Sequence, residues 1–319
     1  MDPFVTESGV ETDGRAAPAR GGGSGRPNLA LRMASAVRYR FFLYAGLLPY
    51  FLGAAWALRM EGAFAPGRFW LGLLGIGLSV VGVESFNEYF DARMGTDRVF
   101  NPSDDEYIPA WMLWLGVAAF AAAACVGMAL AHAGGWPILL YMGLGGMAAA
   151  FYVGPPFRWA YLGLGETSIA LSYGPWMTLG SIHLHTGAFS WRGLAAALVP
   201  GLLVASLAVV NEIPDFHQDR LVGKRNLVVR LGRRNGVALY LALAGAGLAA
   251  CFAGAAAGWF PVACGLAGAL GLPCWFSSAR TAVKAWDTPR LFVPAVRDIV
   301  QCYLVTVSAF IMALAVRLP

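Results

Sequence analysis

Charge is scarce in this sequence. Asp, Glu, Lys and Arg make up 13% of its 319 residues, against about 25% in ordinary soluble domains. A chain with so few charges cannot cover a water-soluble surface of its own size. Cysteine is sparse as well: Cys125, Cys251, Cys264, Cys274 and Cys302 stand singly, mostly inside apolar runs, with no CxxC pair. That spacing excludes a zinc ribbon or a disulfide framework, and the five read as packing residues. The short apolar–polar alternation of a membrane barrel is missing too. The first 36 residues contain no apolar segment of the kind a signal peptide needs, and their Gly, Pro, Ser and Arg content ("TDGRAAPARGGGSGRPN") reads as a disordered tail. The expected division is therefore a tail over 1–36 and a membrane domain over 37–319.

What fills the rest is hydrocarbon. Hydrophobic residues reach 58%, mean hydropathy is +0.60, and 40 glycines suit close helix contacts in a bilayer. Spanning the hydrocarbon takes about 20 apolar residues as a helix, and about nine such runs can be placed. Their centres fall near Leu47, Leu78, Ala119, Leu144, Leu171, Val204, Gly245, Ala267 and Val307. With no water in the bilayer core to satisfy backbone groups, each run must be helical. The expected fold is an all-α integral membrane bundle.

Of the 23 Lys and Arg residues, all but Arg59, Arg68, Arg192 and Arg317 fall on one side if the N-terminus is cytoplasmic. The positive-inside rule then predicts that the N-terminus and the charged loops are cytoplasmic, and the expected location is the cell inner membrane. The net charge of +5 follows from this asymmetry, so it is read as topology and not as a nucleic-acid-binding face.

Two acidic clusters end two of the apolar runs. In "NEYFDARMGTD", residues 87–97, Asn87, Glu88 and Asp91 continue a stripe begun by Glu84 at i, i+3, i+4, i+7. In "NEIPDFHQDRLVGKRN", residues 211–226, Glu212, Asp215 and Asp219 repeat i, i+3, i+7, with Asn211 one turn before Asp215. Ionisable groups at membrane depth cost about 2.5–3.5 kcal/mol each and like charges repel, so such stripes require compensation. Carboxylate and amide oxygens are hard ligands suited to Mg²⁺, which binds through a few carboxylates plus phosphate oxygens. Lys224, Arg225 and Arg230 follow the second stripe and suit an anionic substrate. Gly223 is expected to turn the chain so that Lys224 comes back over the stripe, and Pro214 to interrupt the helix between Asn211 and Asp215.

These residues carry a resemblance. The chain resembles the UbiA superfamily of intramembrane prenyltransferases, whose members carry an N-x-x-x-D motif after helix two and a D-x-x-x-D motif after helix six. Asn87, Asp91 and Asp97 fall on the first motif; Asn211, Asp215 and Asp219 fall on the second. Gly95 and Asp97, with "YVGPPFRWAYLGLGE" (152–166) and "GKRNLVVRLG" (223–232), look most like the 1,4-dihydroxy-2-naphthoate polyprenyltransferases. Departures are Glu88, Pro214 and Asn226, where that group has Asp, often Arg, and commonly Thr.

The resemblance implies a fold of nine helices and a reaction. Asp91, Asp97, Asp215 and Asp219 would hold Mg²⁺, and Asn87, Asn211, Lys224, Arg225, Arg158 and Tyr152 would surround the diphosphate of a polyprenyl donor. Asp91, Asp215 and Lys224 would carry the catalysis, and the prenyl group would pass to an aromatic acceptor such as 1,4-dihydroxy-2-naphthoate in menaquinone-type quinone synthesis. Acceptors such as 4-hydroxybenzoate stay open. Glu166 either orients substrate or sits at a helix start where negative charge is favoured; Tyr152 and Arg158 either close the pocket or only shape a loop. His183 and His185 are expected in a surface turn at the opposite face. A cation-coupled transporter, with the two acidic copies as halves of an internal repeat, is the reading from another class; clusters at helix ends followed by basic residues argue for the enzyme.

Overall fold

The computed structural model describes residues 39–94 and 110–316, with side chains at 45–90 and 110–316. The tail over 1–36, Asp97 and the Asp91 side chain lie outside the described residues. Twelve α-helices and one π-helical turn occur in the described part, and no strand. They are α1 (Tyr39–Met60), α2 (Pro66–Met94), α3 (Trp111–Gly134), α4 (Pro137–Val153), α5 (Trp159–Leu162), α6 (Gly165–Leu171), the π-helical turn Ser172–Trp176, and α7 (Met177–Thr186). After them come α8 (Trp191–Leu221), α9 (Leu227–Leu231), α10 (Arg233–Ala256), α11 (Val262–Ala285) and α12 (Pro289–Ala315). Every one of the nine expected centres falls inside a helix. Among the described residues six helices, α2, α3, α8, α10, α11 and α12, are long and apolar enough to cross a membrane by themselves. The other three centres fall in α1, in the 17-residue α4, and in α6, which the π-helical turn joins to α7.

Helix α8 is the axis of the bundle. It packs against α1, α6, the π-helical turn, α7, α10 and α12, and Val199, Leu203, Val204, Leu207, Val209 and Val210 along it are wholly buried. Ser190 caps its start by accepting from Gly193 N–H at 3.1 Å. The first twenty residues of α8 rise about 30 Å, the thickness of the hydrocarbon. The acidic stripe begins at the next residue, Asn211. Length alone therefore carries Asp215 and Asp219 to the edge of the apolar layer.

Interhelical hydrogen bonds tie the outer helices to this axis. Ser206 Oγ donates to the Tyr240 carbonyl (2.8 Å), Tyr240 Oη and Ser278 Oγ lie 3.1 Å apart, and Ser278 Oγ donates to the Ala295 carbonyl (2.8 Å), a relay from α8 through α10 and α11 to α12. Tyr303 Oη donates to the Ala45 carbonyl at 3.1 Å and joins α12 back to α1. Such bonds contribute about 0.6–2 kcal/mol each between helices in lipid. At the π-helical turn Gly174 meets Gly201 of α8 so closely that a Cβ on Gly174 would lie 2.6 Å from Gly201 Cα.

Two expectations are corrected. Pro214 does not interrupt α8, which runs on to Leu221; a proline removes only one N–H, and Val210 and Ile213 beside it are buried in the core. His183 and His185 lie in helix α7 and are buried, not in a surface turn. His185 Nδ1 accepts the Ala65 N–H at 3.2 Å, just before α2 begins, and its ring packs on Phe64 and Phe69.

Candidate active site

The end of α8 and the chain that follows build one side of the site. Gly223 takes φ +79°, a left-handed conformation that costs glycine little, and the reversal lets Lys224 N–H donate to the Asp219 carbonyl at 2.8 Å. The Lys224 ammonium then lies 3.5 Å from Asp219 Oδ1 and 5.6 Å from the Tyr161 ring centroid. Asn226 Nδ2 donates to the other carboxylate oxygen, Asp219 Oδ2, at 2.7 Å, while Asn226 Oδ1 caps α9 by accepting from Val229 N–H at 2.8 Å. Asp219 and Asn226 are both buried. A buried carboxylate is thus held by one cation and one amide.

A second carboxylate approaches from α6. Glu166 is buried and its Oε1 accepts the Leu227 N–H at 2.6 Å, while Glu212 of α8 lies against Glu166. Glu166 Oε2, Glu212 Oε2 and, on α2, Asn87 Oδ1 are buried oxygens without a hydrogen-bond partner. Acceptors left unsatisfied at this depth are costly unless a ligand or cation completes them.

The sequence-predicted residues divide accordingly. Asp219 and Lys224 come together directly. Asp215 and Asn211 stand on the exposed side of the same helix end, and Asn211 Nδ2 donates to the Leu207 carbonyl at 2.8 Å. The exposed Arg225 is fixed through its backbone, its N–H donating to the Tyr161 carbonyl at 3.2 Å. Arg158, at φ 50°, precedes α5. Tyr152 lines an apolar cavity. Among the described residues no three Asp, Glu, His or Cys side chains converge as a metal site.

That cavity holds about 580 Å³ between α1, α2, α3, α4 and the rod formed by α6, the π-helical turn and α7. On α2 its lining runs from Gly72 to Phe86, a rise of about 21 Å at 1.5 Å per residue. Phe86 is the neighbour of Asn87, so the cavity reaches the acidic end of α2. Aromatic faces come from Phe86, Phe120, Tyr141, Tyr152, Tyr173 and Trp176.

A long apolar cavity and, at the end of α8, a cluster of carboxylate, amide and lysine agree with what comparison with known proteins finds. The model of the UbiA prenyltransferase family matches residues 46–293, both acidic clusters included. The chain belongs to the UbiA prenyltransferase family. It is similar to the 2-carboxy-1,4-naphthoquinone phytyltransferase of Synechocystis, 27% identical over 199 residues that cover 60% of this chain and 63% of that protein. It is also similar to the 1,4-dihydroxy-2-naphthoate octaprenyltransferase of Mycobacterium tuberculosis, 31% identical over 195 residues, 56% of this chain and 64% of that one. The chain thus matches just under two thirds of the length of these relatives. Its fold is that of a UbiA homologue from Archaeoglobus fulgidus bound to GPP and Mg²⁺, with a TM-score of 0.58, 16% identity, and 85% of this chain and 98% of that one covered.

Sequence reasoning about this UbiA fold passed over Asn226 as a bond partner of Asp219, Glu166 as an acceptor for Leu227, and Tyr161 beneath Lys224. Asn before an apolar run is a helix-start signal and marks Asn226 as a cap. Its bond to Asp219, like the bond between Glu166 and Leu227, leaves no trace in local spacing.

Proposed function

We propose that this chain is a Mg²⁺-dependent intramembrane prenyltransferase that moves a polyprenyl group from an allylic diphosphate to an aromatic acceptor, 1,4-dihydroxy-2-naphthoate, for quinone synthesis. The observation that carries this reading is the presence of two environments in one bundle: the Asp219, Lys224 and Asn226 cluster at the end of α8, and an apolar, aromatic-lined cavity of about 580 Å³ whose lining on α2 ends at Phe86, next in sequence to Asn87. The names of the Synechocystis and mycobacterial relatives support the naphthoate acceptor.

The donor set suits the metal. Mg²⁺ takes oxygen ligands and shares them with phosphate, and buried, partnerless oxygens at Asn87 and Glu212 leave this end of the bundle short of positive charge. Asp91, Asp97, Asp215 and Asp219 would hold the ion. Bound Mg²⁺ would neutralise the diphosphate and make it a leaving group. Lys224, drawn over the site by the turn at Gly223, and Arg225 would bind diphosphate oxygens, with Arg158 closing from the α4–α5 connection. The aromatic faces along the cavity would stabilise an allylic cation by about 0.5–2 kcal/mol each while apolar walls exclude water that would otherwise capture it. Sites on the cytoplasmic side of a cell membrane would receive both a lipid-tailed donor from the bilayer and a soluble acceptor.

The test is a product assay on the purified protein in lipid or detergent, using a labelled allylic diphosphate with and without Mg²⁺, against dihydroxynaphthoate and hydroxybenzoate in parallel. Mg²⁺-dependent prenylated naphthol is the expected product. Prenylation of hydroxybenzoate alone would refute the acceptor, and ion uptake without diphosphate release would replace the enzyme by a transporter.

A further inference from the structure

Glu166, the second residue of α6, has no part in the assignment above, yet it is 3% exposed. Its Oε1 accepts the Leu227 N–H, 61 residues on, at 2.6 Å, and Glu212 of α8 lies against the same carboxyl group. Leu227 opens α9, so its N–H is one of the donors that a helix start leaves without an intrahelical partner. A carboxylate on a different helix satisfies it. The residue just before, Asn226, is the one whose side chain reaches Asp219.

The same stretch, residues 161–166, supplies the loop's other anchors. The Tyr161 carbonyl accepts the Arg225 N–H at 3.2 Å, and the Leu162 carbonyl accepts from Arg230 Nη2 at 2.6 Å. The loop that carries Lys224 and Asn226 therefore takes its position from this segment as well as from α8. Glu166 is the side chain by which the segment fixes the loop next to Asn226.

We propose that Glu166 is a positioning residue: by accepting the Leu227 N–H it sets where Lys224 and Asn226 meet Asp219, and loss of that bond weakens binding of diphosphate together with Mg²⁺. This rests on the proposed reading of the α8 end as the diphosphate site. The role lies in an oxygen acceptor at Oε1, so Gln keeps it and Ala does not. The donor can also be removed separately. Leu227 is at the first helical position, where proline is well tolerated, and Asn226 at φ −61°, ψ 171° already has the extended backbone that a residue before proline adopts.

The experiment measures calorimetric binding of inorganic pyrophosphate in the presence of Mg²⁺ to the purified full chain and to E166A, E166Q, L227P and the E166A/L227P double variant, with KM for donor and acceptor measured alongside. Loss of a residue that orients ligands from outside the ligand set typically costs about 10–100-fold in affinity, the fall expected for E166A and for L227P. E166Q recovers most of the affinity. The double variant is no weaker than either single one, because both remove the same bond, and KM rises for the donor but not for the acceptor. Wild-type affinity in both E166A and L227P overturns the proposal; so does E166Q falling as far as E166A, which would assign the effect to charge. Should E166A fail to fold, L227P against wild type decides. Wild-type protein that binds no pyrophosphate with Mg²⁺ overturns the diphosphate-site reading itself, whereas binding that is insensitive to the variants overturns only the role of Glu166.

Discussion

Asn226 donates to Asp219 with its amide nitrogen at 2.7 Å and caps helix α9 with its amide oxygen at 2.8 Å, so one side chain couples a helix start to a buried carboxylate. Replacing it separates the two tasks. Asn226→Asp keeps an acceptor for Val229 N–H but sets a second carboxylate against Asp219; Asn226→Ala loses both bonds. Loss of the cap costs about 0.5–2 kcal/mol. N226A should lower thermal stability in detergent by an amount in that range, and N226D should lower it further at neutral pH, with the gap between them closing as added Mg²⁺ offsets the charge. Equal stability of both variants and wild type would show that the coupling is incidental.

On the proposed mechanism, turnover depends on the carboxylates at the helix ends. Asp91→Ala and Asp215→Ala should each reduce product formation by at least about 10²–10³-fold, the cost of removing one element of charge stabilisation, while the protein stays monodisperse and membrane-inserted. Asp215 lies on the exposed side of α8, so its removal leaves the core untouched. Near-normal rates in both variants would remove the metal-diphosphate assignment.

The glycine contact between the π-helical turn and α8 leaves no room for a side chain. A Cβ on Gly174 would meet Gly201 Cα at 2.6 Å and the Ala197 carbonyl oxygen at 2.8 Å, backbone atoms that cannot rotate away. Gly174→Ala should destabilise the fold by about 1–3 kcal/mol, the usual cost of overpacking, read as an earlier thermal unfolding transition.

Gly145 offers the opposite case. It lines the cavity, and a Cβ there meets nothing within 4 Å. Gly145→Leu should fold at least as well as wild type, since a glycine inside a helix costs about 1 kcal/mol. It should also occupy volume that the donor's tail needs. Rates measured across allylic diphosphates of increasing length should fall most for the longest. A uniform effect on all lengths would mean that the tail lies elsewhere.

Much of this was legible in the chain itself. Apolar length placed nine centres that each fall inside a helix, and the spacing of Glu212, Asp215 and Asp219 located the acidic end of α8. Local rules failed where packing decides. Pro214 breaks helices in water, but here the helix is held by a core that encloses Val210 and Ile213. "HLH" reads as a polar turn, but His185 is drawn inside by a backbone N–H that needs an acceptor. The bond of Glu166 to Leu227 depends on two segments 61 residues apart, which no periodicity reports.

The π-helical turn at Ser172–Trp176 has one more consequence. Cavity-lining residues along this rod recur as Ser168 and Ile169, Ser172 and Tyr173, Trp176 and Met177, Gly180 and Ser181, then Leu184, a repeat of four. In an uninterrupted α-helix of 3.6 residues per turn, sixteen residues of such a repeat would drift about 160° around the axis and leave the cavity. A π-turn absorbs one extra residue, which cuts the drift to about 60°. The irregularity acts as a phase correction, keeping one face of the rod turned toward the cavity from Ser168 to Leu184.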